Sequence, residues 1–174
     1  MPTPDFIGIY DNAISSYNCK EIIKWVETHS LRRGVVMNKD GSGSIDTRVK
    51  SDWELDYNKT IFTNKTFVDL IIADALNKCT PSYRESYPCV DNIDSWGVCN
   101  IYNIQKYNPG DGYHAVHCEA SGEYTSHRTL AWMVYLNTVT DEGGTYFNSY
   151  DKTLEAKEGR LVIWPAYFTH QHKG

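Results

Sequence analysis

Two histidines and one glutamate form the pattern with the clearest chemical meaning in this sequence. His117 and Glu119 stand two positions apart, and His172 follows near the end of GRLVIWPAYFTHQH. Side chains two apart on a β-strand point to the same face, so His117 and Glu119 can bind one metal ion, and an imidazole from a later strand can complete the set. Two imidazoles and one carboxylate, with the other positions open, are the ligands of non-haem Fe(II) oxygenases.

The distal histidine has two candidates in the sequence. His170 and His172 share a face if their segment is extended. We favour His172 and keep His170 as the alternative distal ligand; we expect His170 otherwise to lie behind the ligands or at the surface. The same ligand set also suits zinc, so a zinc-dependent hydrolase with an activated water is a second hypothesis. A non-catalytic binding module on the same fold is a third, because a fold does not fix a function.

Size, charge and cysteine content exclude several classes of protein. The 174 residues fit a single domain with a real core. The net charge is -5 and no basic block exceeds the pair Arg32-Arg33, so we expect no nucleic-acid partner. The sequence has neither a secretory signal nor an apolar run of about 18 residues, so we expect a soluble cytoplasmic protein without a membrane partner. The five cysteines lack CxxC spacing, which favours free thiols in an intracellular protein.

The first half of the chain predicts a strand and two helices. FIGIYDNAIS alternates as a strand does, and Ile22, Ile23 and Val26 then recur at helical spacing, with Ser15 or Ser16 as the N-cap. A second helix is indicated by an apolar stripe at Val68, Ile72, Ala75, Leu76 and Cys79. Residues 38–46, NKDGSGSID, show no periodicity, so they are a flexible connection or a lid that orders over a substrate.

From residue 96 the pattern changes to short apolar or alternating runs between turn signals. The runs are WGVCNIYNIQKY, YHAVHCEA, RTLAWMVYLN, TYFNSY and GRLVIWP. They predict a mainly β fold, a sandwich or jelly roll, with the N-terminal helices packed on one outer face. We expect one domain over 1–174, with supporting elements over about 1–95 and the catalytic strands over about 96–174.

The stretch 107–174 resembles the Fe(II)/2-oxoglutarate-dependent dioxygenase superfamily, specifically its prolyl 4-hydroxylase-like branch. The matching segments are YNPGDGYHAVHCE (107–119), HRTLAWMVYLN (127–137), EGGTYF (142–147) and GRLVIWPAYFTHQHKG (159–174). The resemblance implies a double-stranded β-helix, or jelly-roll, core. It also implies an enzyme that uses Fe(II), 2-oxoglutarate and O2 to hydroxylate an unactivated C–H bond, with a proline-containing peptide or protein as substrate. Ascorbate is the accessory cofactor that the resemblance suggests.

The resemblance assigns roles to individual residues. Tyr107, ten residues before the first metal histidine, would hydrogen-bond 2-oxoglutarate, and Tyr135 would lie near the distal carboxylate of that cosubstrate. Arg128 matches an arginine beside the active-site mouth. The family's distal ligand lies twelve residues after the position of Arg160, which favours His172 over His170.

Two features depart from the family pattern. The carboxylate ligand is commonly aspartate, whereas this chain has Glu119, one methylene longer. The family also binds the distal carboxylate of 2-oxoglutarate through a lysine or arginine roughly ten residues past the last histidine. We therefore expect that anchor, on one further strand, beyond residue 174, so that residues 1–174 bind Fe(II) but bind 2-oxoglutarate poorly. If the anchor lies within these residues, Arg128 is the first candidate.

Overall fold

The computed structural model describes residues 4–38, 40–55, 66–93, 95–99 and 101–174. These residues form a mainly β protein with two α-helices, and the strands are short and antiparallel. The helices are α1 (Ser16–Glu27) and α2 (Phe67–Ser86). The strands are β1 (Gly8–Tyr10), β2 (Leu31–Arg33), β3 (Val36–Met37), β4 (Gly43–Ser44), β5 (Lys50–Ser51), β6 (Trp53–Leu55), β7 (Gln105–Lys106), β8 (Gly112–Tyr113), β9 (Leu130–Val134), β10 (Thr145–Phe147), β11 (Lys152–Leu154), β12 (Leu161–Pro165) and β13 (His172–Lys173).

Both helices begin at capping residues that the sequence supplies. The Ser15 side chain accepts a hydrogen bond from the Asn18 backbone N–H, and Thr66 and Asp69 form a reciprocal capping box. The predicted stripes are buried, namely Cys19, Ile22 and Val26 on α1 and Val68, Ile72, Ala75, Leu76 and Cys79 on α2. Neither of the two described helices is long and apolar enough to cross a membrane.

Strand β12 lies at the centre of the core because it is buried on both faces. It pairs with β1 on one side and with β9 on the other. Leu161 and Ile163 pack with the buried residues of the two helices, whereas Val162 and Trp164 pack with a second cluster that includes Phe147. A continuous apolar run such as LVIW is what a strand buried on both faces requires.

The remaining strands form four small sheets. Strand β10 pairs with β11 and β13, and this pairing sets Phe147 opposite His172. Strand β6 pairs with β2 and β7, while β5 pairs with β8 so that Lys50 faces Tyr113. The fourth of these sheets is the hairpin of β3 and β4.

The second group of strands begins later in the chain than the sequence predicts. The described residues between 95 and 104 form no strand longer than a single bridge, and Trp96 and Val98 are 37% and 46% exposed. Apolar alternation indicates a strand only where a neighbouring strand supplies hydrogen bonds and cover. Conversely, the strands between 31 and 55 were not predicted, since each has only two or three residues.

Within the glycine and serine segment 38–46, the described residues 38 and 40–44 belong to the hairpin of β3 and β4 rather than to a structureless connection. The Asn38 N–H donates to the Ser42 carbonyl at 2.8 Å, and the Asp40 carboxylate accepts from the Ser42 hydroxyl at 2.6 Å. The hydroxyl of Ser44 donates to the Asn38 side chain at 3.0 Å. Polar side chains thus stabilise this hairpin without an apolar periodicity, because each bonds a residue two to six positions away. Whether the segment orders further over a peptide stays a prediction.

Candidate metal centre

His117, Glu119 and His172 come together, with one ligand atom of each within 4.8 Å of the others. The Oε1 atom of Glu119 lies 3.6 Å from Nε2 of His117 and 3.6 Å from Nε2 of His172. Donor atoms that each bind one ion at about 2.0 to 2.2 Å lie closer to one another than these distances between Glu119 and the histidines. Movement of the side chains towards one another would therefore place all three donors on one ion.

One short backbone pairing holds the two histidines together. The His117 N–H donates to the His172 carbonyl at 3.0 Å, and the His172 N–H donates to the His117 carbonyl at 2.9 Å. These two residues form an isolated bridge, so the His117–Glu119 pair does not lie in a regular strand as the sequence suggested. A bridge with both bonds between the same two residues still fixes the imidazoles side by side.

The second ring nitrogen of each histidine is bound to a backbone carbonyl. Nδ1 of His117 lies 3.0 Å from the Ala115 carbonyl, and Nδ1 of His172 lies 2.9 Å from the His170 carbonyl. A carbonyl only accepts, so each Nδ1 donates its proton there, and Nε2 is in each ring the nitrogen that faces Glu119 and can bind a metal once deprotonated. Metal-binding histidines are oriented by such hydrogen bonds.

Arg128 binds the glutamate at two points. Its Nη1 lies 3.3 Å from the Glu119 carbonyl oxygen and 3.3 Å from Oε2 of the same residue, which leaves Oε1 directed at the histidines. Burial alone would raise the pKa of Glu119. The hydrogen bonds and charges of His117 and His172 outweigh burial and hold that pKa well below its ordinary value. The carboxylate is thus ionised at neutral pH, as a metal ligand must be.

Aromatic rings fix the positions of both imidazoles. Tyr113 stacks on His117 with 3.5 Å between ring centres and 11° between planes. Phe147 and Trp164 flank His172 at 5.3 and 5.2 Å. This role of Tyr113 was not predicted from the sequence, although Tyr113 stands four residues before His117 and so has the parity of the same face.

His170 does not join the cluster, because its ring points to the N-terminal segment. The residue is 2% exposed, and its Nε2 lies 2.7 Å from the Asp5 carbonyl. Nδ1 contacts the Thr169 hydroxyl at 2.9 Å, and the ring packs on Tyr150. Burial lowers the pKa of His170, so the neutral imidazole is favoured. Of the two positions expected for His170, behind the ligands or at the surface, the structure shows the first, because the residue is buried and its carbonyl contacts Nδ1 of His172.

The two predicted cosubstrate tyrosines line the same cleft as the three ligands. The Tyr135 hydroxyl lies 2.7 Å from Oγ1 of Thr145, and burial raises the pKa of Tyr135. Tyr107 is 42% exposed as a residue, yet burial of its hydroxyl, with the charges of Asp52 and Glu54, raises its pKa. Both phenols therefore stay protonated at neutral pH and can donate hydrogen bonds.

The comparisons of sequence found no match, whereas the comparisons of structure found similar proteins. No protein-family model and no curated protein matches the sequence. The structure is similar to a prolyl hydroxylase from Trichoplax adhaerens, in complex with a peptide fragment of the hypoxia inducible factor oxygen degradation domain. The TM-score is 0.68, with 15% identity over 97% of this chain and 76% of that chain.

A second similarity is to the viral collagen prolyl hydroxylase of Paramecium Bursaria Chlorella virus-1 in complex with 2OG. The TM-score is 0.60, with 16% identity over 97% of this chain and 87% of that chain. A truncated form of the viral enzyme gives a TM-score of 0.57, with 16% identity over 100% and 86% of the two chains. Such low identity establishes the fold alone. The chain has the fold of the prolyl hydroxylases.

Proposed function

We propose that this protein is an Fe(II)- and 2-oxoglutarate-dependent dioxygenase that hydroxylates an unactivated C–H bond, specifically a prolyl 4-hydroxylase acting on a peptide or protein. One observation carries the proposal: His117, Glu119 and His172 come together in a protein with this fold. The Nε2 atoms of both histidines face the same carboxylate oxygen of Glu119. Three protein ligands leave coordination positions open for a chelating cosubstrate and O2. The structural neighbours support the choice, since one was solved with 2OG and another with a peptide fragment.

The three ligands would hold the Fe(II) ion, and the remaining residues have separate tasks. When bound, the iron with 2-oxoglutarate and O2 supplies the oxidising power; one oxygen atom enters succinate, with release of CO2, and the other enters the C–H bond. Arg128 orients the Glu119 carboxylate. Tyr135, whose hydroxyl contacts Thr145, and Tyr107 would donate hydrogen bonds to 2-oxoglutarate in the cleft.

Several finer features belong to the same proposal. We infer a jelly-roll wrap of the strands around the metal, and a single domain in which about 1–95 support the strands over about 96–174. Ascorbate would serve as accessory reductant. We also propose a cytoplasmic location, because all five cysteines are free and two of them, Cys89 and Cys99, are exposed. We also keep the prediction that the protein binds neither nucleic acid nor a membrane.

The test is turnover under defined metal loading. The protein would be loaded with Fe(II) without oxygen, then given 2-oxoglutarate, O2 and a proline-containing peptide, and succinate and hydroxyproline would be measured. We expect both products with Fe(II) and neither with Zn(II). Hydrolysis of a substrate with Zn(II) would instead support a zinc hydrolase. Metal binding without any product over a broad peptide set would leave only a binding module.

A further inference from the structure

The sheet of β2, β6 and β7 carries two positive charges on one face. Strand register sets Arg33 opposite Trp53, and Trp53 opposite Lys106. Directly opposed residues of antiparallel strands project to the same face of a sheet, so the indole stands between the two cations. These three residues are called here the cationic face. None of them belongs to the buried core or to the candidate metal centre.

Arg33 is held in place by an aromatic ring rather than by a carboxylate. Its guanidinium lies over the Trp53 ring, 4.7 Å from the ring centre. Such stacking uses the flat face of the guanidinium, so its N–H groups, which point outward in the plane, stay available to a carboxylate. Within the described part of the chain Arg33 forms no ion pair, whereas four other arginines each bond an acidic side chain, namely Arg48, Arg84, Arg128 and Arg160.

One carboxyl group feels the charge of Arg33 but is bound elsewhere. Asp111 accepts hydrogen bonds from the backbone N–H and from the side-chain amide of Asn108, both at 3.1 Å. The backbone hydrogen bond from Asn108 lowers the pKa of Asp111 most, and the charge of Arg33 adds a smaller lowering. Asp111 thus keeps its hydrogen bonds within its own turn, and the N–H groups of Arg33 remain open to an acid from outside.

Lys106 connects the cationic face to the cleft of the candidate metal centre. The residue is exposed, and among the described residues it has no acidic partner. It lines the cleft, as does the next residue, Tyr107. A chain that leaves the metal centre along Tyr107 therefore meets Lys106 first, and Arg33 beyond Trp53.

We propose that the cationic face binds an acidic residue of the substrate, in the segment that flanks the target proline. This inference rests on the proposed function, which brings a peptide into the cleft. A carboxylate fits the cationic face because the guanidinium offers paired N–H donors and Lys106 adds a second positive charge. The net charge of the protein is -5, so a local positive charge selects an acidic segment at this place, while the rest of the surface disfavours one elsewhere.

The experiment compares peptides that differ only in the charge beside the proline. Aspartate, asparagine or lysine would occupy each flanking position in turn. Peptide affinity would be measured without oxygen on protein loaded with Mn(II) and 2-oxoglutarate, and KM and kcat would be measured from hydroxyproline with Fe(II) and O2. The variants are R33Q, K106Q and the charge-reversed R33E/K106E. The matched control is R32Q, which removes the same charge from the same strand but at a position that alternation directs to the opposite face.

We expect the original protein to prefer one aspartate peptide over its asparagine counterpart by about 3- to 20-fold at low salt, the range for two exposed ion pairs. High salt should reduce this preference. R33Q and K106Q should each lose part of it through KM, with kcat unchanged, and R32Q should keep it. R33E/K106E should prefer the lysine peptide, a gain that loss of folding cannot produce.

Equal affinity of the original protein for the aspartate and asparagine peptides at every position would overturn the inference. An equal loss in R32Q would also overturn it, because the preference would then follow from net charge alone. If the variants changed self-association in light scattering rather than peptide affinity, the cationic face would bind a second copy of this acidic chain instead of the substrate. Absence of hydroxyproline from every peptide, the neutral ones included, would overturn the proposed function, whereas the affinity measurements would still test the cationic face.

Discussion

Replacing His172 or His170 with alanine should separate metal binding from stability. His172 offers Nε2 to the metal centre, whereas the His170 ring bonds Asp5 and Thr169 and packs on Tyr150. We expect His172→Ala to lose metal affinity by more than about 100-fold. Even residues that only support a ligand contribute about 10- to 100-fold, so loss of a ligand must cost more.

The effect of His170→Ala should appear in unfolding instead. The variant loses two hydrogen bonds of about 0.5 to 1.5 kcal/mol each, and it leaves a cavity where a fully buried ring packed. A total of about 2 to 4 kcal/mol corresponds to a fall in Tm of roughly 5 to 15 °C for a domain of this size. Metal affinity should change little, because the carbonyl that orients His172 belongs to the backbone of residue 170.

Two measurements test the predictions for His172→Ala and His170→Ala. Calorimetric titration with Mn(II) gives metal affinity without oxidation, and circular dichroism of the metal-free proteins gives Tm. His170→Gln is a useful control, since its amide can still donate to the Asp5 carbonyl and should recover part of the lost stability. If folded His170→Ala lost the metal while His172→Ala bound it normally, the assignment of the distal ligand would be reversed.

Four further outcomes are expected. His117→Ala should abolish iron binding and succinate formation, measured as iron content and product, with its Tm close to that of the metal-free original protein. Arg128→Met should weaken Mn(II) binding by about 10- to 100-fold, because Glu119 loses the group that orients it; a normal affinity would contradict that role. Burial raises the pKa of Tyr10 to about 12, above its ordinary value of 10.0, so folding stability should fall as pH rises from about 10 to about 12, and Tyr10→Phe should reduce that loss in urea unfolding. Proteolysis within 38–46 should slow when a proline-containing peptide is added, and equal cleavage would leave the segment without a role in substrate binding.

The elements that could be predicted are those in which one pattern dominates. The stripes of the two helices and the apolar run of β12 each bury a continuous face, so periodicity alone identifies them. The convergence of His117 and Glu119 with His172 was predicted from strand parity and from the resemblance, although His117 and Glu119 do not lie in a regular strand. The backbone bridge that creates it could not be foreseen, because the pairing of residues 117 and 172 joins distant parts of the chain.

The buried charged side chains of β5 and β6 were not predicted, for the opposite reason. Lys50, Asp52 and Glu54 alternate as a strand does, but charged residues ordinarily mark the solvent face of a sheet. Here the charges lie inside, and the amides of Asn103 and Gln105 that stabilise the carboxylates come from a segment about 50 residues later. A pattern that depends on such distant partners leaves no local signal.

The choice of glutamate at position 119 has a local explanation in the backbone. The bridge holds His117, and the next backbone hydrogen bond along the described chain is from Ala120 to Ala166, at 2.8 Å. The backbone of Glu119 is therefore not held by a ladder, and a longer side chain can still reach the histidines. The added freedom of that side chain is restricted by Arg128, which binds both its carbonyl and its carboxylate. Backbone carbonyls thus orient the two histidines, whereas a half-exposed arginine side chain orients Glu119. A substitution outside the three ligands can therefore change the orientation of the carboxylate more easily than that of either imidazole.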